Sequence, residues 1–151
     1  DDLIDFVFGH GPQNIRRARI RGLEAGVDTK WQGLDVRAAL THQRPRDEDS
    51  GKQLRSRAES FGSISVAKTW GAWQLSTTVV GNGPRFDSAG EEADKRMGGY
   101  GVLNAKLRYA LDKRWSVELS GNNLAGKKYE LAQGYNTPGR TLFINVKFEA
   151  R

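Results

Sequence analysis

The chain has 151 residues, enough for one domain of ordinary size, and no cysteine, so neither a disulfide framework nor a thiolate metal site is available. Its formal charge is +6, but the basic residues alternate with apolar ones and acidic residues lie among them, the pattern of a solvated face rather than of a block that binds nucleic acid. Hydrophobic residues make up 37% of the chain and no run nears the ~20 apolar residues of a membrane helix, which excludes that element but leaves a transmembrane barrel open, since only alternate residues of its strands face lipid.

In chain order, a short first strand is expected over 2–8, where Leu3, Ile4, Phe6, Val7 and Phe8 alternate poorly. The second, over 15–31, alternates cleanly: Leu23, Ala25, Val27, Thr29 and Trp31 share one face, and Glu24, Gly26, Asp28 and Lys30 the other. A turn at Gln32-Gly33 leads into 34–44, which sets Leu34, Val36, Ala38 and Leu40 against Asp35, Arg37 and Thr41. The strand over 54–70 is the weakest, with Arg55, Arg57, Glu59 and Lys68 leaving Ile64 and Val66 as its clearest apolar pair. After Gly71-Ala72, the strand 73–86 opposes Trp73, Leu75, Thr77 and Val79 to Gln74, Ser76 and Thr78. Strands follow over 99–111 (Leu103, Ala105, Leu107 and Tyr109 against Asn104, Lys106 and Arg108), 115–124 (Trp115, Val117 and Leu119 against Ser116, Glu118 and Ser120) and 139–148 (Leu142, Ile144, Val146 and Phe148 against Asn145 and Lys147). A helical period of 3.6 would scatter these faces around its axis, so the chain is all-β, an antiparallel up-and-down meander of about eight strands.

Connection lengths alternate. Short turns fall at Gln32-Gly33, Gly71-Ala72 and Asp112-Lys113-Arg114, and long polar loops near 45–53, 87–98 and 125–138. Tight turns on one side and long loops on the other mark a transmembrane β-barrel, with the turns in the periplasm. The four tryptophans, Trp31, Trp70, Trp73 and Trp115, all flank the short turns, as an interfacial girdle would. A soluble β-sandwich with tryptophans buried at its strand ends would also alternate, but accounts less well for the loop asymmetry and the tryptophan rim.

Three segments resemble TonB-dependent outer-membrane receptors. Asp2-Leu3-Ile4 precedes a loop and then Arg17-Ala18-Arg19-Ile20-Arg21-Gly22-Leu23-Glu24; Gly99-Tyr100 stands before Leu103-Asn104; and Asn122-Asn123-Leu124-Ala125-Gly126-Lys127-Lys128-Tyr129-Glu130 is followed by Gly134-Tyr135-Asn136-Thr137-Pro138-Gly139-Arg140. The closing stretch looks most like receptors of the vitamin B12 (cobalamin) type, and siderophore–iron receptors share much of it. The resemblance implies a barrel of about 22 strands filled by a plug. Residues 1–151 would then be the C-terminal part of that barrel, with the plug and earlier strands outside the chain, as its start at Asp1 also suggests. It implies a segment of an active transporter in the bacterial outer membrane. The partners would be membrane lipid, a small-molecule nutrient and the TonB complex reached through the missing N-terminal part, with no role for nucleic acid. The family usually stops at an aromatic residue, whereas here Phe148 is followed by Glu149, Ala150 and Arg151.

No catalytic constellation, cofactor motif or metal-ligand spacing is visible, and the chain is not read as an enzyme. Asp47-Glu48-Asp49 and Glu91-Glu92 fit solvated loop charges better than a calcium site. Gly81-Asn82-Gly83-Pro84 is a turn, since no helix start follows it. Glu24, Asp28, Lys30, Asp35, Arg37, Lys106, Arg108, Glu118 and Lys147 would face the lumen, where they either contact the plug or line a hydrated interior. Candidates for ligand capture are Arg85, Phe86, Tyr135, Asn136 and Arg140, because aromatic and guanidinium groups at a barrel mouth suit a bulky amphipathic ligand. The alternative from another class is an eight-stranded barrel closed on itself, pairing 2–8 with 139–148 and serving a structural or binding role.

Overall fold

The computed structural model describes the backbone of residues 3–7 and 11–15 and residues 17–150 in full. Thirteen strands form: β1 (Leu3–Val7), β2 (Gly11–Ile15), β3 (Ala18–Trp31), β4 (Leu34–Asp47), β5 (Ser60–Trp70), β6 (Trp73–Asn82), β7 (Arg85–Phe86), β8 (Arg96–Met97), β9 (Tyr100–Ala110), β10 (Trp115–Asn122), β11 (Glu130–Ala132), β12 (Tyr135–Asn136) and β13 (Thr141–Phe148). Seven make one antiparallel sheet in the order β13-β10-β9-β6-β5-β4-β3, so every neighbour in space is also the next long strand in sequence. This is the expected meander. The remaining six strands form three small hairpins, β1-β2, β7-β8 and β11-β12.

The boundaries differ from the sequence pattern in instructive places. The expected strand at 15–31 begins at Ala18, while β2 pairs with β1 in a hairpin of its own. The strand at 2–8 therefore does not pair with 139–148, and β3 and β13 stand as the two outer strands of the large sheet. An eight-stranded barrel closed through that pairing is not what the chain forms. Residues 54–59 are not strand: Leu54 and Ala58 turn inward under a loop, and β5 begins only at Ser60. The run 73–86 ends at Asn82, and Gly83-Pro84 separates it from β7, since proline has no N–H to donate to a ladder.

The tight turns have local causes. Gln32 and Gly33 both have positive φ, as a type I′ hairpin demands, and at Gly71-Ala72 only the first residue does, the pattern of type II′. In the third turn the Asp112 carboxylate accepts from the N–H groups of Arg114 (2.7 Å) and Trp115 (2.8 Å), which holds its pKa below the usual carboxylate range.

The register carries the alternation across all seven strands. One row runs Trp31, Leu34, Lys68, Leu75, Leu107, Leu119, Ile144, and the next runs Thr29, Val36, Val66, Thr77, Ala105, Gly121, Leu142. Above them lie Val27, Ala38, Ile64, Val79 and Leu103, and then Ala25, Leu40, Gly62, Gly81 and Gly101. A one-residue slip in any pair would send a whole strand's apolar set to the other face, so this continuity fixes each register against its neighbours. Among the described residues nothing covers the apolar face: Leu23 is 80% exposed and Ile144 74%. Trp70 opposes Trp73, and Trp73 and Trp115 lean on Tyr109 and Phe148 with ring centroids 4.5 and 4.7 Å apart. The tryptophans thus form one aromatic edge at the short-turn end. Lys68 shares the apolar face one pair from that edge, where its stem can lie along apolar surface and its ammonium reach water.

Candidate functional site

The opposite face of the sheet is polar. Asp28 opposes Arg37 and accepts from its Nε at 2.9 Å, and Lys30 pairs with Asp35 at 3.1 Å. Glu118 stands opposite Arg108 in register, and Lys106 Nζ lies 3.9 Å from its carboxylate. Glu24 faces Thr41, and Lys147 faces Ser116. All nine residues expected on one face share it. The pairs are largely solvent-exposed, so each contributes little to stability, and their alternating sign leaves the face polar without a strong field.

The strand ends remote from the tryptophans carry three loops, residues 48–59, 83–99 and 123–140, and these interlock. Arg46 bridges Glu59 (2.7 Å) and Glu91 (3.0 Å), and Glu91 also accepts from the Gln53 N–H at 2.7 Å. The Ser56 N–H donates to the Phe86 carbonyl at 2.8 Å, tying the first loop to the second. Gln133 ties the third to the second, its N–H donating to Asp87 (3.0 Å) and its Nε2 to the Asp94 carbonyl (2.9 Å). Beneath these bonds Pro45, Leu54, Ala58 and Met97 are buried. The main apolar core of the described residues thus lies under the loops, not between layers of sheet.

Asn123, only 3% exposed and with φ +51°, holds the root of the third loop. Its Oδ1 accepts from the Lys127 N–H at 2.9 Å, its Nδ2 donates to the carbonyls of Lys127 (2.9 Å) and Pro138 (3.3 Å), and its own N–H donates to Asn104 Oδ1 at 2.9 Å. Asparagine tolerates the left-handed region and carries both donor and acceptor, which gives the Asn122-Asn123-Leu124 segment a physical reason.

The five residues expected to capture ligand are not equivalent. Arg85 is 5% exposed, and its Nη2 donates to the carbonyls of Glu130 (2.7 Å) and Leu131 (3.1 Å), clamping the third loop to the second. Its guanidinium lies 5.6 Å from the Tyr100 ring centre, and Tyr100 stacks on Tyr129 at 4.2 Å. Arg85 Nη1 and Asn82 Oδ1 are buried without a partner among the described residues, and Asn82 pairs with Tyr100 in register. Phe86 is half-buried beside Arg85, Tyr135 and Asn136 stand exposed on the β11-β12 hairpin, and Arg140 lies over Gly126.

Between the second and third loops opens a cleft of about 380 Å³, lined by Arg96, Gly98, Lys127, Lys128, Tyr129 and Asn136 among others. Of the five candidates only Asn136 reaches it. Arg96, Lys127, Lys128 and Tyr129 lie outside the five expected residues. Their signal in the sequence is the basic pair before an aromatic in Lys127-Lys128-Tyr129, which by itself reads only as part of a closing loop. No group of three or more acidic, histidine or cysteine side chains suited to a metal occurs among the described residues.

A family model described as TonB dependent receptor-like, beta-barrel, matches residues 1–124. The vitamin B12 transporter BtuB of Vibrio vulnificus (strain YJ016) is 29% identical over 161 residues, covering 98% of this chain and 25% of its own. The ferric-pyoverdine M114 receptor PbuA of Pseudomonas sp. (strain M114) is 26% identical over 151 residues, covering 91% and 18%. Among solved structures, the copper transporter OprC matches with TM-score 0.77 and 21% identity over 97% of this chain and 26% of its own. FpvA of P. aeruginosa in complex with a heterologous pyoverdine gives 0.74 and 17% over 98% and 23%. The chain spans 18–26% of the length of these relatives, which are transporters and receptors rather than enzymes. Seven antiparallel strands with an apolar outer face, joined by tight turns at one end and long loops at the other, are barrel wall, and the chain belongs to the TonB-dependent receptor β-barrel family of the outer membrane.

Proposed function

We propose that this chain is the C-terminal wall and part of the mouth of an active transporter for a scarce nutrient, with no enzymatic role. The observation that carries this is the division of one sheet into two unlike faces across seven strands in register, apolar without protein cover on one side and charged on the other. An apolar face of that extent needs lipid, and a polar one needs water or a plug. In this reading Glu24, Asp28, Asp35, Arg37, Lys106, Arg108 and Glu118 line the lumen, the plug and the TonB contact belong to parts of the protein outside this chain, and the three interlocked loops face the exterior.

Ligand contact falls to the loop cap. The cleft carrying Arg96, Lys127 and Lys128 favours a ligand with negative or strongly accepting oxygen atoms, and Tyr129 offers a ring for stacking. The exposed Tyr135 and Asn136, with Arg140 and Phe86, lie on the same loops, and the buried Arg85 serves by holding those loops in place. Cobalamin is the ligand we favour, on the closing-loop resemblance and the similarity to the Vibrio B12 transporter. A ferric siderophore is the second reading, supported by the similarity to PbuA.

The test is titration of the intact receptor in detergent with cobalamin and then with ferric siderophores. Saturable cobalamin binding, weakened tenfold or more by K127Q/K128Q, is the expected result. Siderophore binding alone would transfer the assignment to the second reading, and binding of neither would remove both ligands. Spin labels at Leu34, Val36, Leu142 and Ile144 test the wall itself: they should be accessible to lipid-soluble oxygen and shielded from a water-soluble relaxant, and the reverse pattern would refute the outward face.

A further inference from the structure

Above the apolar rows, the outward face of β3 and β4 changes character. Counting in twos from Leu23 brings Arg21, Arg19 and Arg17 to that face, and counting from Leu40 brings His42, Arg44 and Arg46. The register sets Arg21 directly opposite Arg44 and Arg19 directly opposite Arg46. Like charges directly opposed destabilise a strand pair unless something neutralises them. For the outer arginines the chain supplies carboxylates: Glu48 lies 2.6 Å from Arg19, Asp49 3.4 Å from Arg17, and Glu59 and Glu91 meet Arg46. Among the described residues, the side chains of Arg21 and Arg44 form no ion pair or hydrogen bond, and both are exposed.

Their height is the second observation. Arg21 stands ten residues above Trp31 on β3, and Arg44 ten above Leu34 on β4. Ten residues are roughly 33 Å of strand, or about 23 Å across a bilayer at a tilt near 45°. That nearly equals the ~25 Å apolar band of an outer-membrane barrel. With the tryptophan edge in one headgroup layer, the arginine pair falls in the other. Past the Leu23 and His42 row below it, the same face holds an open depression of about 650 Å³, lined by Ala25, Val27, Ala38, Leu40, Ile64 and Val79 among others.

We propose that Arg21 and Arg44 clamp the phosphate of an anionic lipid in the outer leaflet, whose acyl chain lies in the depression beneath. Two guanidinium forks facing each other from adjacent strands suit a phosphate, which accepts bidentate hydrogen bonds from both and removes their mutual repulsion. The apolar depression further down the same face selects a phosphate attached to hydrocarbon over a free ion, and the carboxylates nearby occupy the other arginines but leave these two available. The site rests on the outer-membrane reading, though not on which nutrient is carried.

The experiment uses the intact receptor in neutral detergent, titrated with phosphatidic acid and followed by native mass spectrometry. R21Q/R44Q should weaken lipid binding about tenfold, R21K/R44K should keep most of it, and K113Q/R114Q in the short turn at the other rim should bind as the wild type does. Millimolar inorganic phosphate should not displace the lipid. Equal binding by R21Q/R44Q, or displacement by inorganic phosphate alone, overturns the site. Should R21Q/R44Q not assemble, a photo-crosslinker at Leu23 of the otherwise unaltered receptor decides: a phosphorylated-lipid adduct is expected in cells, and an adduct with neutral lipid alone overturns the site. Fractionation of the wild type outside the outer membrane would bring down the underlying reading as well. Failure of the lipid assays with the receptor properly in the membrane would remove only the lipid site.

Discussion

In the seven-stranded wall, side chains as large as Leu23, Leu142 and Ile144 stand exposed, whereas under the loops Pro45, Leu54, Ala58 and Met97 are buried. The wall's five inner strands have ladders on both sides, but the side chains of its apolar face meet no cover among the described residues. The loop cap brings its own partners: a small apolar core, the Arg46 bridge and the Arg85 clamp. A wall built this way depends on lipid over its apolar face, and a cap built this way keeps its shape where water surrounds it.

Charge on the wall separates the two most sharply. Ala38 and Ala39 are sequence neighbours on opposite faces. Ala38→Arg should destabilise the membrane-inserted receptor by about 2–4 kcal/mol, the range for arginine near the bilayer midplane, and Ala39→Arg by about 1 kcal/mol or less. Denaturant unfolding in lipid vesicles measures both, and equal losses would mean that the two faces are not distinguished by lipid. In the cap, Asn123→Ala removes three side-chain bonds and strains a left-handed position, at a cost of about 1–3 kcal/mol. Hydrogen exchange should accelerate over residues 124–138 while β10 stays protected, and uniform acceleration would show the cap and wall to be one cooperative unit.

A smaller effect is expected for Arg46→Ala. The bridge is half-exposed, so its loss costs about 1 kcal/mol or less, but proteolysis should become faster within residues 48–59. Unchanged cleavage there would relocate the cap's rigidity to its apolar core. Smallest is a pH effect at Asp47. Its carboxylate accepts first from the Asp49 N–H (2.9 Å) and also from Ser50, which holds its pKa below the ordinary 3.8. A depressed folded-state value means stabilisation fully present above that ordinary value and lost as pH falls through the lower one. The turn at 47–51 should therefore keep its amide protection at pH 5 and lose it only on strong acidification, and loss nearer neutrality would assign the turn to another group.

Alternation made the wall legible. From Leu142 to Phe148 every second residue is apolar, as is every second residue but Thr29 from Leu23 to Trp31, and that period by itself states which side chains share a face. Gln32-Gly33 and Asp112 announced their turns for equally local reasons. The cap was not legible because its contacts join residues far apart. Nothing near Arg85 indicates that its guanidinium will meet the carbonyls of Glu130 and Leu131, 45 and 46 residues on. Leu54 and Ala58 carried an apolar signal that suited a strand, and only the neighbouring loops, by covering them, made them core.

By itself the sequence determined the class of the sheet, the polarity of each face and the tight-turn end, because strand period and turn chemistry act over a few residues. Tertiary structure decided that β1 turns back on β2, that the sheet stays open between β3 and β13, and that three loops close into one cap. It also decided that Arg21 meets Arg44 while their neighbours meet carboxylates. Those outcomes depend on which strands lie side by side and at what register, and pairing across many residues is an energy of the assembled sheet rather than of any segment within it.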